Sequence, residues 1–140
     1  MAEIYSYPEH TAPETNEIVM SRWPRDDGKP PGFKDRPCLV RRVARHKGKI
    51  VVRVAYGTTN MDGRPLHSFP IVMPADMDLA GLHQATRFVL TDMKWAHWDN
   101  RFFRCIGGRP TPVIGRLSDA KIAELASQVK MLEERLGQPL

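Results

Sequence analysis

Two short clusters in this 140-residue chain carry side chains suited to phosphate chemistry. Arg36-Pro37 stands where a long polar stretch enters the apolar run Cys38-Leu39-Val40, and Thr58-Thr59 stands where the run Ile50–Tyr56 ends. A guanidinium offers a planar fork of donors that matches a pair of phosphoryl oxygens. A threonine hydroxyl can donate one more hydrogen bond to the same anion. If the two runs are neighbouring antiparallel strands, the loop before one lies close to the loop after the other. That arrangement would bring Arg36 beside Thr58 or Thr59 at one sheet edge. Arg25 and Lys34 in the polar stretch, and Arg87 further on, are candidates to hold a polyanion. His67 and His83 are candidates for proton transfer, since a histidine pair is one way to cleave RNA. Trp98 is the aromatic candidate for stacking on a base. Trp95, Phe102 and Phe103 fit core or dimer packing better.

Familiar catalytic signatures are absent: the chain has no P-loop, GxGxxG, GxSxG or HExxH pattern. Asp76 and Asp78 lack the remaining ligands of a calcium loop. The two cysteines, Cys38 and Cys105, form no CxxC pair and no zinc-type cluster with histidine. Cys38 sits in an apolar run and reads as a small buried hydrophobe. No metal and no cofactor is therefore expected.

With 41% apolar and 26% charged residues the chain falls among globular proteins rather than disordered ones. Its length suits one domain with a real core. No apolar run approaches the roughly 20 residues that span a bilayer, and Met1-Ala2-Glu3-Ile4-Tyr5 lacks the basic and apolar regions of a secretory leader. The expected location is the cytoplasm, with no membrane partner. The net charge of +5 is unevenly spread. Glu3, Glu9, Glu14 and Glu17 fall in an N-terminal stretch without Lys or Arg, whereas Arg dominates from Arg22 to Arg116. Such a field attracts polyanions.

Residues 1–16, polar and interrupted by Pro8 and Pro13, read as a flexible acidic arm, whose acidity could also let it lie across the basic body, with 17–140 as the folded domain. Strands are expected at 17–23, 38–43, 50–56, 69–73 and 86–91. His46-Lys47-Gly48-Lys49 marks a hairpin turn, and residues 25–35 a long surface loop. Residues 76–82 read as a loop or one helical turn, and 95–103 are ambiguous. Ser118 is a good N-cap for a closing helix over 118–136, with Gly137 stopping it. Ile122, Leu125, Ala126, Val129, Leu132 and Leu136 form its apolar stripe. Short strands, long loops and one closing helix predict a mainly β protein with a C-terminal helix, as a small barrel or a strongly bent sheet.

In this order the pieces resemble the PemK/MazF-like toxins of bacterial toxin–antitoxin systems. Arg36-Pro37-Cys38-Leu39-Val40 resembles the family's "RP-x-hydrophobic-V" strand entry. Val52–Thr59 resembles its strand ending in a Thr/Ser pair. Ala80-Gly81-Leu82 followed by Thr86–Leu90 resembles its "GL" segment and next strand, and Ile114-Gly115-Arg116-Leu117-Ser118 its step into the terminal helix. The resemblance spans residues 17–136. It implies an SH3-like small barrel of the CcdB/PemK/MazF kind and a homodimer. It implies a metal-independent endoribonuclease that cuts single-stranded RNA, such as mRNA, and a cognate antitoxin whose tail occupies the RNA groove. The family's catalytic Arg and Thr/Ser fall on Arg36 and Thr58, with Thr59 as the alternative. The chain departs from the pattern in its acidic arm, in Asn16-Glu17-Ile18-Val19 where the family has "G-D-(V/I)-W", and in an enlarged 95–109 segment. Two other readings share the fold: a catalytically silent module that binds nucleic acid or protein, and a toxin directed at gyrase.

Overall fold

A computed structural model describes residues 3–24 and 33–140, without the side chains of Pro24, Phe33 and Lys34. Among the described residues, six strands form one antiparallel sheet: β1 (Glu17–Pro24), β2 (Phe33–His46), β3 (Lys49–Thr58), β4 (Ser68–Ile71), β5 (Thr86–His97) and β6 (Val113–Arg116). Their spatial order is β4-β5-β3-β2-β1-β6. The edge strands β4 and β6 do not pair with each other, so the sheet is open rather than closed into a barrel. Two helices complete the described chain, α1 (Pro74–Ala80) and α2 (Asp119–Leu136).

The strands are longer than sequence periodicity indicates. β2 takes in Arg36 and Pro37, which were expected as loop residues, because β1 pairs with it down to Pro24↔Phe33. β5 runs on to His97 through part of the ambiguous aromatic segment, held by Val51↔His97 and Arg53↔Trp95. β6, not expected as a strand, adds to β1 through Glu17↔Arg116 and Ile18↔Gly115. The β2–β3 hairpin turns where its composition indicates: Lys47 and Gly48 both take positive φ, 50° and 76°, as a tight two-residue turn requires.

Alternation along the strands sends apolar residues to both faces. Ile18, Leu39 and Ala55 face a first core with Phe69, Ile71, Phe88 and Leu90. Val19, Cys38, Val40, Val52 and Val54 face a second, with Trp23, Trp98 and Phe103. The first core is covered by α2. Ser118 Oγ accepts from Lys121 N at 3.2 Å, and Gly137 closes the helix with φ 70°. Leu125 and Leu132 are buried while Ile122 and Val129 pack at the margin. Ala126 and Leu136, expected in the same stripe, are exposed. Each fully buried leucine contributes about 1.5–3 kcal/mol. The Ile114-Gly115 step has a packing reason. A Cβ on Gly115 would collide with the backbone of Ala80, and one on Gly81 with that of Ile114, so α1 and β6 meet backbone to backbone.

The second core is covered by the N-terminal segment, which lies across the basic body as its acidity allowed rather than standing free as an arm. Tyr7 N donates to Trp98 O (3.1 Å), the Tyr7 hydroxyl to Phe103 O (2.8 Å), and Tyr5 N to Asn100 Oδ1 (2.9 Å). Glu9 pairs with Arg45 at 2.6 Å. Described residues 3–16 thus form a strap whose acid meets the basic body and whose aromatic closes the core. No helix among the described residues is long and apolar enough to cross a membrane.

Candidate functional site

The β2–β3 ladder ends at Cys38↔Tyr56. Two residues further along each strand stand Arg36 and Thr58, and Thr58 pairs in turn with Arg87 of β5. Arg36, Thr58 and Arg87 therefore form a row across three strands. Thr58 and Arg87 are the directly paired members, and side chains so paired start about 5 Å apart. The row lines an open cleft of about 510 Å³, together with Asp35, Pro37, Tyr56, Gly57, Thr59 and Asn60.

Each member is held by local structure. The Arg36 guanidinium lies over the Tyr56 ring, 5.4 Å from its centroid, and its Nη1 donates to Gly57 O at a long 3.5 Å. Its Nε is buried and has no hydrogen-bond partner among the described residues. An unpaired buried donor costs free energy. Thr58 Oγ1 accepts from Asn60 N at 3.2 Å, which leaves the hydroxyl proton to be donated outward. Thr59 is exposed at the rim.

Arg87 has two donors committed: Nε to Asn60 O (2.5 Å) and Nη2 to Asp62 O (2.7 Å). It fastens the loop after β3 and adds positive charge to the cleft wall. Gly63 lies against it, where a Cβ would stand 2.8 Å from the guanidinium carbon.

Gly57 sets the width of the cleft floor. A Cβ there would stand 2.7 Å from Pro37 O and 2.8 Å from Thr86 Cγ2, so only glycine lets β2 and β5 close on β3 at this level. Beneath Arg36, the buried Cys38 thiol contacts Ser21 Oγ at 2.8 Å. Burial pushes that thiol up to about 12, offset in part by Ser21, the Gly57 backbone and the Arg36 charge.

The remaining sequence candidates do not join the row. His67 closes a single 3₁₀ turn at Pro65–His67, and His83 is exposed between α1 and β5; neither lines the cleft. Trp98 is 2% exposed, packed on Tyr7 and Phe103, with its indole nitrogen donating to Thr11 Oγ1 at 3.2 Å. A ring so enclosed presents no face to a base, and the exposed tryptophan is Trp95, at 49%. Arg25 and the Lys34 side chain lie outside the described residues.

Sequence reasoning missed Asp35, an acidic residue that is among those lining the cleft. It accepts from Arg104 Nη1 at 3.0 and 3.1 Å, an exposed pair that ties the β2 entry to the segment after Phe103. Tyr56 and Asn60 were missed as well. The available signal was adjacency: Asp35 directly precedes Arg36, and Tyr56 and Asn60 flank the Thr pair.

No protein-family model matches the chain, and no curated protein matches it.

Proposed function

We propose that this protein is a metal-independent endoribonuclease of the PemK/MazF kind, acting on single-stranded RNA at the Arg36 cleft. The observation that carries the reading is the row Arg36–Thr58–Arg87 in one hollow, with a buried Arg36 donor left unpaired. In this reading the bent sheet with its closing helix is an opened variant of the SH3-like barrel. The working form is a cytoplasmic homodimer, and a cognate antitoxin occupies the same cleft.

Cleavage begins with attack of the 2′-oxygen on the adjacent phosphorus. The new O2′–P bond forms as the P–O5′ bond breaks, leaving a 2′,3′-cyclic phosphate and a 5′-hydroxyl. Negative charge builds on the phosphoryl oxygens on the way. Arg36, which lines the cleft, stabilises that charge in this scheme, and Thr58 adds a neutral donor. Arg87 contributes field rather than a free fork. Threonine is too weak an acid to serve as base unaided. The carboxylate beside the row is Asp35, and it takes the 2′-proton in this scheme. The leaving 5′-oxygen takes its proton from water in the open cleft.

The test is incubation of the purified protein with a long RNA in EDTA, beside Arg36→Ala and Asp35→Asn. The reading expects discrete fragments ending in cyclic phosphate from the wild type and none from Arg36→Ala. Intact RNA with the folded wild-type protein overturns it. A second reading, a silent nucleic-acid-binding module, is favoured by two observations: Asp35 is already paired with Arg104, and both histidine candidates lie outside the cleft. That reading expects salt-sensitive RNA binding without fragments.

A further inference from the structure

At the other end of the β2–β3 ladder, and on the opposite face, the sheet carries a surface that α2 leaves open. The register fixes its rows. Arg42 pairs with Arg53 and Arg53 with Trp95; Ala44 pairs with Val51 and Val51 with His97. His46↔Lys49 follows at the turn. Directly paired residues share a face. Val52 and Val54 belong to the second core, so Val51 and Arg53 point away from it.

A hollow of about 450 Å³ opens here over Ala44, Val51 and Trp95. Its floor is small and apolar, and its wall is a half-exposed indole. His46 and His97 also line it, and His97 Nδ1 is buried with no hydrogen-bond partner among the described residues. Among the described residues, Arg42, Arg53 and Lys49 are paired with no carboxylate. Two arginines stand directly across from each other, an arrangement that costs stability in a sheet. Burial and the Arg53 charge also lower the pKa of the neighbouring Arg41, against the pull of Glu133. A cluster of mutually repelling guanidiniums beside an exposed indole and an unpaired imidazole matches a chain of phosphates and bases.

We infer that this face binds single-stranded nucleic acid, with one base stacked on Trp95 and the flanking phosphates on Arg42, Arg53 and Lys49. The partner relieves the repulsion between the arginines, and the base edge meets His97. Stacking on an aromatic side chain tolerates any base, so the surface gives grip rather than sequence choice. The site does not depend on cleavage at Arg36.

Trp23 and Trp98 are 3% and 2% exposed against 49% for Trp95, so quenchable emission reports this site. The full chain is titrated at low salt with a 2′-O-methyl oligouridine, which cannot be cut, and with oligothymidine. The expected result is saturable quenching by either strand. Trp95→Leu should lose the quench and about tenfold or more in affinity. Arg42→Gln with Arg53→Gln should flatten the salt dependence by roughly 1.4, about 0.7 for each cation removed. Arg36→Ala should keep the quench, which separates this site from the cleft. Wild-type affinity in the Trp95→Leu protein overturns the inference. So does a dimer that shields Trp95 from acrylamide and dissociates on Trp95→Leu, because a second copy would then be the occupant.

Discussion

Arg36 and Thr58 stand one same-face step past Cys38↔Tyr56, the last rung between β2 and β3, and both line one cleft. Their approach depends on two longer-range features. β1 extends β2 outward to Phe33, so Arg36 sits on a strand rather than a loose loop. Gly57 lets Pro37 and Phe88 close in from either side. The guanidinium is thereby held over Tyr56 with one donor buried, a preorganised arrangement whose cost is met by the fold.

Replacing Arg36 by lysine tests whether the fork matters or only the charge. Lysine keeps a cation but loses the planar pair of donors. Removing one preorganised donor of this type costs about 10²–10³ in rate. Arg36→Lys is expected to fall by a factor in that range in RNA cleavage while unfolding at the same denaturant concentration. Wild-type rates for the lysine variant would reduce Arg36 to a general electrostatic contribution.

Gly57→Ala tests the floor of the cleft. The added methyl would stand 2.7 Å from Pro37 O and 2.8 Å from Thr86 Cγ2, one of which is backbone in a paired strand. Overpacking of this kind costs about 1–3 kcal/mol. Chemical denaturation should show a lower midpoint, and cleavage should fall further than stability alone accounts for, as Arg36 and Thr58 are levered apart. Unchanged midpoint and rate would mean that the strands have slack at this level.

The parts of this fold that local chemistry decides were legible in the sequence. The Ser118 cap, the α2 stripe around Leu125 and Leu132, the Lys47-Gly48 turn and the Ile50–Tyr56 strand follow from residue type and spacing. The meeting of Arg36 and Thr58 at one cleft was also legible, because antiparallel neighbours leave little freedom at a ladder end. What stayed hidden depends on partners distant in sequence. β6 has only four residues and is a strand because β1 receives it. Trp98 and Trp95 sit in the same aromatic run, and only the register of β5 and the docking of Tyr7 decide which ring is buried. Asp35 acquires a place in the cleft through β1 pairing and Arg104, neither of which leaves a local mark.

The N-terminal strap offers a contrast between apolar and ionic fastening. Tyr7 packs on Trp98 with centroids 5.4 Å apart and donates to Phe103 O, whereas Glu9 and Arg45 pair in the open, with side chains 62% and 53% exposed. Exposed pairs are weak and screened by salt. Tyr7→Ala should therefore lower the denaturation midpoint clearly, by about 1–3 kcal/mol of lost burial, and should increase the solvent exposure of Trp98 fluorescence. Glu9→Gln should leave the midpoint nearly unchanged. Equal effects from the two substitutions would show that charge, not the aromatic contact, fastens the strap.

Alkaline pH should loosen the second core before it affects the rest of the molecule. Burial raises the Cys38 thiol from an ordinary value of 9.0 to about 12. Burial, followed by the nearby Cys105 thiol, raises the Tyr7 hydroxyl as well. In both cases the unfolded chain gives up its proton at a lower pH than the folded one. The associated stability is fully present below pH 9 and is lost as pH climbs toward the folded values. Urea midpoints should thus fall progressively from pH 9 upward, and the decline should be shallower in a Cys38→Ala, Tyr7→Phe double variant. A thiol reagent at pH 8 gives an independent check: the exposed Cys105 should react at once, and Cys38 only after denaturant is added. Two equally fast thiols in the native protein would place Cys38 at the surface and remove the packing on which the Arg36 row rests.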